Sequence, residues 1–151
     1  MTTIQKGFGQ RVFAIRQASG LGKEAFARRV LSNGASAKNI GRIEDEEVTP
    51  RAATLQKISE FGNVDLAWLT TGRCVLKPND IVSTIGIAER ISAARQAAGL
   101  SALALAKASN LGASSKNIQR LEAGQHRPTF RTVTKIAAAL KMSATDIAYG
   151  A

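Results

Sequence analysis

The sequence predicts an all-α fold of two tandem five-helix bundles, and three observations carry that expectation. The first is a stretch stated twice. Gly34-Ala-Ser-Ala-Lys-Asn-Ile-Gly-Arg-Ile-Glu44 and Gly112-Ala-Ser-Ser-Lys-Asn-Ile-Gln-Arg-Leu-Glu122 are identical at eight of eleven positions. The second is that the repeat extends along the chain. Arg16-Gln-Ala-Ser-Gly-Leu21 is echoed by Arg95-Gln-Ala-Ala-Gly-Leu100 at an offset of 79 residues, and past the turn the offset becomes 78. Thr54, Lys57 and Ile58 then match Thr132, Lys135 and Ile136, Pro50 matches Pro128, and Gly72 matches Gly150. The third is that apolar residues recur at helical spacing, while no segment alternates with period two over a useful length.

Taken in order, Phe8, Val12 and Ile15 define a first helix ending at Gly20. A second runs from Lys23 to about Leu31, burying Phe26 and Ala27 or Val30. After a turn at Asn33-Gly34 comes a third, from Ser36 to Glu44, with Ser36 as its cap. Asp45-Glu46-Glu47-Val48 reads as a polar loop, and Thr49-Pro50 as a cap and first-turn proline for a fourth helix, Arg51–Glu60. A short fifth helix, about Asp65 to Thr70, offers Leu66, Trp68 and Leu69 to the core. Residues 73–80, broken by Pro78, read as a linker between a first domain, 1–72, and a second, 81–151.

The second domain repeats the plan. Ile87, Ile91 and Ala94 mark its first helix. Ser101 caps the next, which carries Leu103, Leu105 and Ala106. The duplicated stretch gives a helix over 114–122 capped by Ser114, and the loop Ala123–Pro128 follows. Thr129 caps a helix with Val133, Ile136 and Leu140 inside, and Ser143 opens the last.

The chain carries 21 Lys/Arg against 11 Asp/Glu, a formal charge of +10. Residues 1–75 contribute +4 and residues 76–151 contribute +6, without any Lys/Arg run. Charge spread over folded surfaces in this way favours a polyanion, nucleic acid first. Cys74 is the single cysteine, so no intrachain disulfide forms, and with only His126 beside it no four-ligand zinc site is available. There is no signal peptide, membrane-length apolar run, phosphate-binding glycine loop or recognisable catalytic arrangement. The expectation is a cytoplasmic, non-enzymatic protein without cofactor, metal or membrane partner.

Each duplicated stretch pairs an apolar stripe, Ile40/Ile43 or Ile118/Leu121, with an outer face of Lys, Asn, Gln and Arg. A short helix of that kind after a glycine turn suits entry into a DNA major groove. A solvated face in a small bundle is the plainer alternative.

The ordered set, found twice, resembles the phage Cro/lambda-repressor-like (XRE-type) helix-turn-helix family. It comprises Arg-x-x-x-Gly-Leu, an Ala-rich helix, Gly-x-Ser-x-x-x-Ile-x-x-[Ile/Leu]-Glu, then a loop and Pro. The resemblance covers roughly 8–72 and 87–150, and Trp68-Leu-Thr-Thr-Gly72 is similar to an ending common in phage repressors. It implies a five-helix bundle whose third helix reads DNA, and a chain acting as a sequence-specific repressor on double-stranded DNA. By motif position the base-edge candidates are Lys38 and Arg42, and Ser115, Lys116, Gln119 and Arg120. Asn39 and Asn117 can meet either a base or a phosphate. Phosphate candidates are Ser36, Ser114, Lys23, Arg127 and Arg131. Arg16 with Glu44 and Arg95 with Glu122 match positions that pair across the first and third helices of the family.

Such proteins dimerise, so the partner expected beyond DNA is either a second copy or, within one chain, a pseudo-dimer of the two domains. Eight linker residues span at most about 28 Å. A second reading is an antitoxin or adaptor, in which one repeat binds DNA and the other, with its acidic loop Asp45-Glu46-Glu47, binds a protein.

Overall fold

A computed structural model describes residues 4–31 and 36–150. The chain divides between Val75 and Leu76 into two compact units. Among the described residues unit 1 holds α1 (Phe8–Ser19), α2 (Lys23–Leu31), α3 (Ala37–Glu44), α4 (Ala52–Gly62) and α5 (Leu66–Thr71). Unit 2 holds α6 (Ile87–Ala97), α7 (Ala102–Ala108), α8 (Lys116–Glu122), α9 (Phe130–Leu140) and α10 (Ala144–Tyr149). The fold is all-α, and the turn read at Asn33-Gly34 lies outside the described residues.

Each unit is closed by the stripes that the spacing marks. In unit 1, Val12, Ile15, Phe26, Ala27, Val30, Ile40, Ile43, Leu55, Ile58, Trp68 and Leu69 are buried, and the Phe26 ring meets Phe61 edge-on at 5.4 Å. In unit 2 the buried set is Val82, Ile91, Leu105, Ala106, Ile118, Leu121, Val133, Ile136, Ala137, Ile147, Ala148 and Tyr149. Burying one such large side chain stabilises by about 1.5–3 kcal/mol, so helices of six to twelve residues that are marginal alone are held by these contacts. Leu103 departs from the expectation: it is 40% exposed. On the short α7 it lies two positions, or about 200°, from Leu105, which takes the inward side.

Side-chain caps set four of the helix starts. Ser101 Oγ accepts the Ala104 N–H at 3.0 Å, Thr129 Oγ1 that of Thr132 at 3.3 Å, and Ser143 Oγ that of Thr145 at 3.2 Å. Ser36 Oγ accepts from Asn39 at 3.4 Å. Ser114 Oγ accepts the Lys116 N–H at 3.2 Å, while Ser115 holds the cap position itself, so α8 begins at Lys116 rather than 114. Thr49-Pro50 does not cap α4. That helix starts at Ala52 with Arg51 at the cap position and no side-chain bond. The reason is a one-residue slip: the station that Thr129 fills after Pro128 is filled after Pro50 by Arg51, which has no acceptor.

The stretch read as a linker is only partly free. Pro78 and Asp80 carbonyls accept the N–H groups of Arg131 and Phe130 at 2.8 Å each, and Val82 N–H donates to Pro128 at 2.8 Å. Ile81 forms an isolated antiparallel bridge with Thr129. The backbone from Pro78 onward is therefore fastened along the start of α9.

One arginine in each unit, buried in unit 1 and half-buried in unit 2, ties the end of the bundle to its beginning. Arg90 donates from Nε to Ile147 O at 2.8 Å, from Nη1 to Ile85 O at 2.7 Å, and from Nη2 to Thr84 Oγ1 and Ala148 O at 2.8 Å. Thr84 Oγ1 also donates to Ala148 O. Two acceptors are carbonyls of the last turn of α10, which have no partner within the helix and favour a cation. Burial pushes the Arg90 guanidinium down to about 10, so it stays charged at neutral pH. Arg11 does the same in unit 1, through Leu69 O at 2.8 Å, Thr70 O at 3.1 Å and Gln5 O at 3.3 Å. Replacing Arg90 by Met keeps the apolar stem and orphans these acceptors. The expected cost to unit 2 is about 2–3 kcal/mol, because water can reach some of the carbonyls. Urea unfolding followed through Tyr149, the single tyrosine, checks this, and a loss under about 1 kcal/mol would sink it.

Candidate nucleic-acid interface

α3 and α8 are each held from behind by an ion pair. Arg16 Nε lies 2.5 Å from Glu44 Oε1 and Nη2 lies 3.1 Å from Oε2, while Nη1 donates to Leu21 O at 3.2 Å. Arg95 does likewise toward Glu122 at 2.5 and 3.0 Å, and toward Leu100 O at 2.8 Å. Each guanidinium thus fixes the last turn of α3 or α8 to the first helix of its unit and to the loop that starts the second. The bond to Glu122 holds the Arg95 guanidinium above its ordinary value. The pairs differ in solvation. Side chains of Arg16 and Glu44 are 9% and 5% exposed, those of Arg95 and Glu122 16% and 14%.

With Ile40 and Ile43 turned into unit 1, Lys38, Asn39 and Arg42 stand exposed on α3. With Ile118 and Leu121 turned into unit 2, Lys116, Asn117, Gln119 and Arg120 stand exposed on α8. Lys116, Gln119 and Arg120 line a recess of about 330 Å³, completed by Ala123 and Gln125 of the following loop. Four of these five side chains offer hydrogen-bond donors, which suits guanine O6/N7, and the Gln119 and Gln125 amides add a carbonyl that can accept from adenine N6 while their N–H donates to N7. Ser115 is half-buried at the helix start. Arg127 and Arg131 are exposed beyond α8. Asn117 Nδ2 donates to Leu111 O at 3.2 Å, which folds the turn after α7 back onto α8.

In unit 1 the same stations are met by carboxylates. Glu24 Oε2 accepts the Ala37 N–H at the start of α3 at 3.4 Å, beside the Ser36 cap. Lys23 Nζ lies 3.8 Å from Glu44 Oε2, and a Cβ on Gly41 would come within 3.3 Å of that Nζ. Lys23 therefore leans over α3, in space that Gly41 leaves open. In unit 2 the corresponding residues are Ala102 and Gln119, the small and large side chains exchanged.

The acidic loop is not a uniform patch. Glu46 turns inward, and its Oε1 accepts the N–H groups of Gly7 at 2.7 Å and Gly9 at 3.1 Å, capping α1. A Cβ on Gly9 would strike the Glu44 carbonyl oxygen, so this approach requires glycine. Glu47 lies 3.4 Å from Arg42 Nε, and Asp45 is exposed. Sequence reasoning missed Glu46, Arg11 and Arg90. For the arginines a signal existed, since they stand at the 79-residue offset on the two first helices. For Glu46 there was none, its partners lying 37 and 39 residues away.

Residues 87–149, the span of α6–α10, match a family model described as a helix-turn-helix domain. No curated protein and no solved structure matches the chain. Among the described residues no helix is long and apolar enough to cross a membrane.

Proposed function

We propose that the protein is a sequence-specific regulator of transcription, of phage-repressor type, that reads double-stranded DNA with α8 and a related half-site with α3. The observation that carries this reading is α8 itself. Within the segment similar to helix-turn-helix domains, Lys116, Gln119 and Arg120 rim one polar recess on a helix held from behind by Arg95–Glu122. Arg120 and Lys116 suit guanine edges and Gln119 suits adenine. Ser114, Arg127 and Arg131 flank them as phosphate contacts, with Ser36 and Lys23 in the matching role in unit 1.

The test is selection of bound duplexes from a random pool with the full chain, followed by two variants. Arg120→Ala is expected to cost about 1–3 kcal/mol at one base position and relax preference there. Arg131→Ala is expected to weaken binding to all duplexes alike and lower the salt slope by about one unit. Unchanged affinity and preference in Arg120→Ala would remove α8 as the reader. A second reading has unit 1 as the binding site for a protein partner, in an antitoxin or adaptor. The exposed carboxylates of Asp45 and Glu47 favour it, and a stoichiometric protein co-purifying through unit 1 would support it.

A further inference from the structure

The loops that follow α3 and α8 have the same backbone. Glu47 N–H donates to Arg42 O at 2.9 Å and Glu46 N–H to Ile43 O at 3.1 Å. Gln125 N–H donates to Arg120 O at 3.0 Å and Gly124 N–H to Leu121 O at 3.2 Å. Glu46 and Gly124 both take left-handed backbone, φ 59° and 71°. Both are Schellman closures, which put residues 47 and 125 at one station beside the arginine of the reading helix. In unit 2 that station is an uncharged amide in the recess with Lys116, Gln119 and Arg120. In unit 1 it is a carboxylate on Arg42.

We infer that Glu47 is a specificity and affinity determinant acting through Arg42, making α3 the attenuated reader of the pair. The inference rests on the DNA-binding reading above. Arg42 and Glu47 side chains are 46% and 60% exposed, so the bridge contributes little to folding. Its effect falls on binding. Arg42 meets a base or phosphate only by leaving the bridge, and the freed carboxylate then faces the polyanion from the end of the same helix. Glu24, at the Ala37 N–H where a phosphate would otherwise sit, reinforces the attenuation. Its counterpart in unit 2 is Leu103.

The experiment uses the full chain with a duplex selected by the wild-type protein and a random-sequence duplex of equal length. Affinity is measured between about 50 and 200 mM salt. Glu47→Gln reproduces the unit 2 station, and Gln125→Glu installs the unit 1 station. Glu47→Gln is expected to tighten binding about three- to tenfold and steepen the salt slope by up to about 0.9. Gln125→Glu is expected to weaken binding by at least that factor. In an Arg42→Ala background the gain from Glu47→Gln should fall by more than half, which a merely structural role of Glu47 would not produce. Silence of either exchange, or a gain undiminished without Arg42, overturns the inference while wild-type binding leaves the DNA reading standing. Failure of the wild-type chain to bind any duplex removes both.

Discussion

Replacing Glu44 by alanine is expected to destabilise unit 1 by about 3–5 kcal/mol, a large fraction of a small domain's stability. The substitution leaves Arg16, 8% exposed, with the Leu21 carbonyl at 3.2 Å and the Phe13 ring at 5.2 Å as its remaining partners among the described residues. Replacing Arg16 instead strands Glu44 at the C-terminal end of α3, where the helix dipole disfavours an anion. Lys23 at 3.8 Å is then its remaining ionic partner among the described residues. Either single loss therefore exposes a nearly dry charge, and the double change should cost much less than the two together. Trp68, the single tryptophan, is fully buried in unit 1, so its fluorescence in a urea titration follows that unit. The corresponding loss at Glu122 should be smaller, because water reaches both partners there. A double-mutant cycle for Arg16 and Glu44 with coupling near zero would refute the account.

What was legible in the sequence was whatever local spacing encodes. The apolar stripes, the caps at Ser101, Thr129 and Ser143, and the inward Trp68 depend on residues within a turn or two of each other. The Arg–Glu pairs act across 27 and 28 residues, and only the family resemblance brought them into view. Arg11, whose acceptors at Leu69 and Thr70 lie 58 and 59 residues away, left no local pattern. Neither did Glu46, which reads as one of three like charges and folds inward as a helix cap. The candidate readers were identified as residue types on a face, and α8 does present Lys116, Gln119 and Arg120 together. The carboxylates at Lys23 and Ala37 were illegible because each depends on how α2 meets α3, and the one at Arg42 because it depends on how the loop after α3 closes.

We propose that the two units act as a tethered pair, and the largest effect on binding is expected from disabling one reader in the full chain. Pro78, Asp80 and Val82 are fastened to the segment before and at the start of α9, so the connection not fastened there is residues 73–77. Five residues span at most about 18 Å rather than the 28 Å of the whole stretch. The breadth of each unit adds to that span, and sites one helical turn apart, about 34–36 Å, come within reach of one chain. A short tether puts the second unit at roughly millimolar effective concentration, giving about 10²–10⁴ of avidity without a protein–protein interface. Lys38→Ala combined with Arg42→Ala should therefore weaken binding to a two-site duplex by about a hundredfold or more, while a single-site duplex bound through α8 is barely affected. Inserting about half a helical turn of DNA between the sites should remove the same advantage, since the tether is too short to follow the second groove around the duplex. Mass measurement and footprinting of the complex decide the matter. Two chains on a two-site duplex, or full affinity after α3 is disabled, would refute the tethered pair and leave unit 1 as a module for a protein partner.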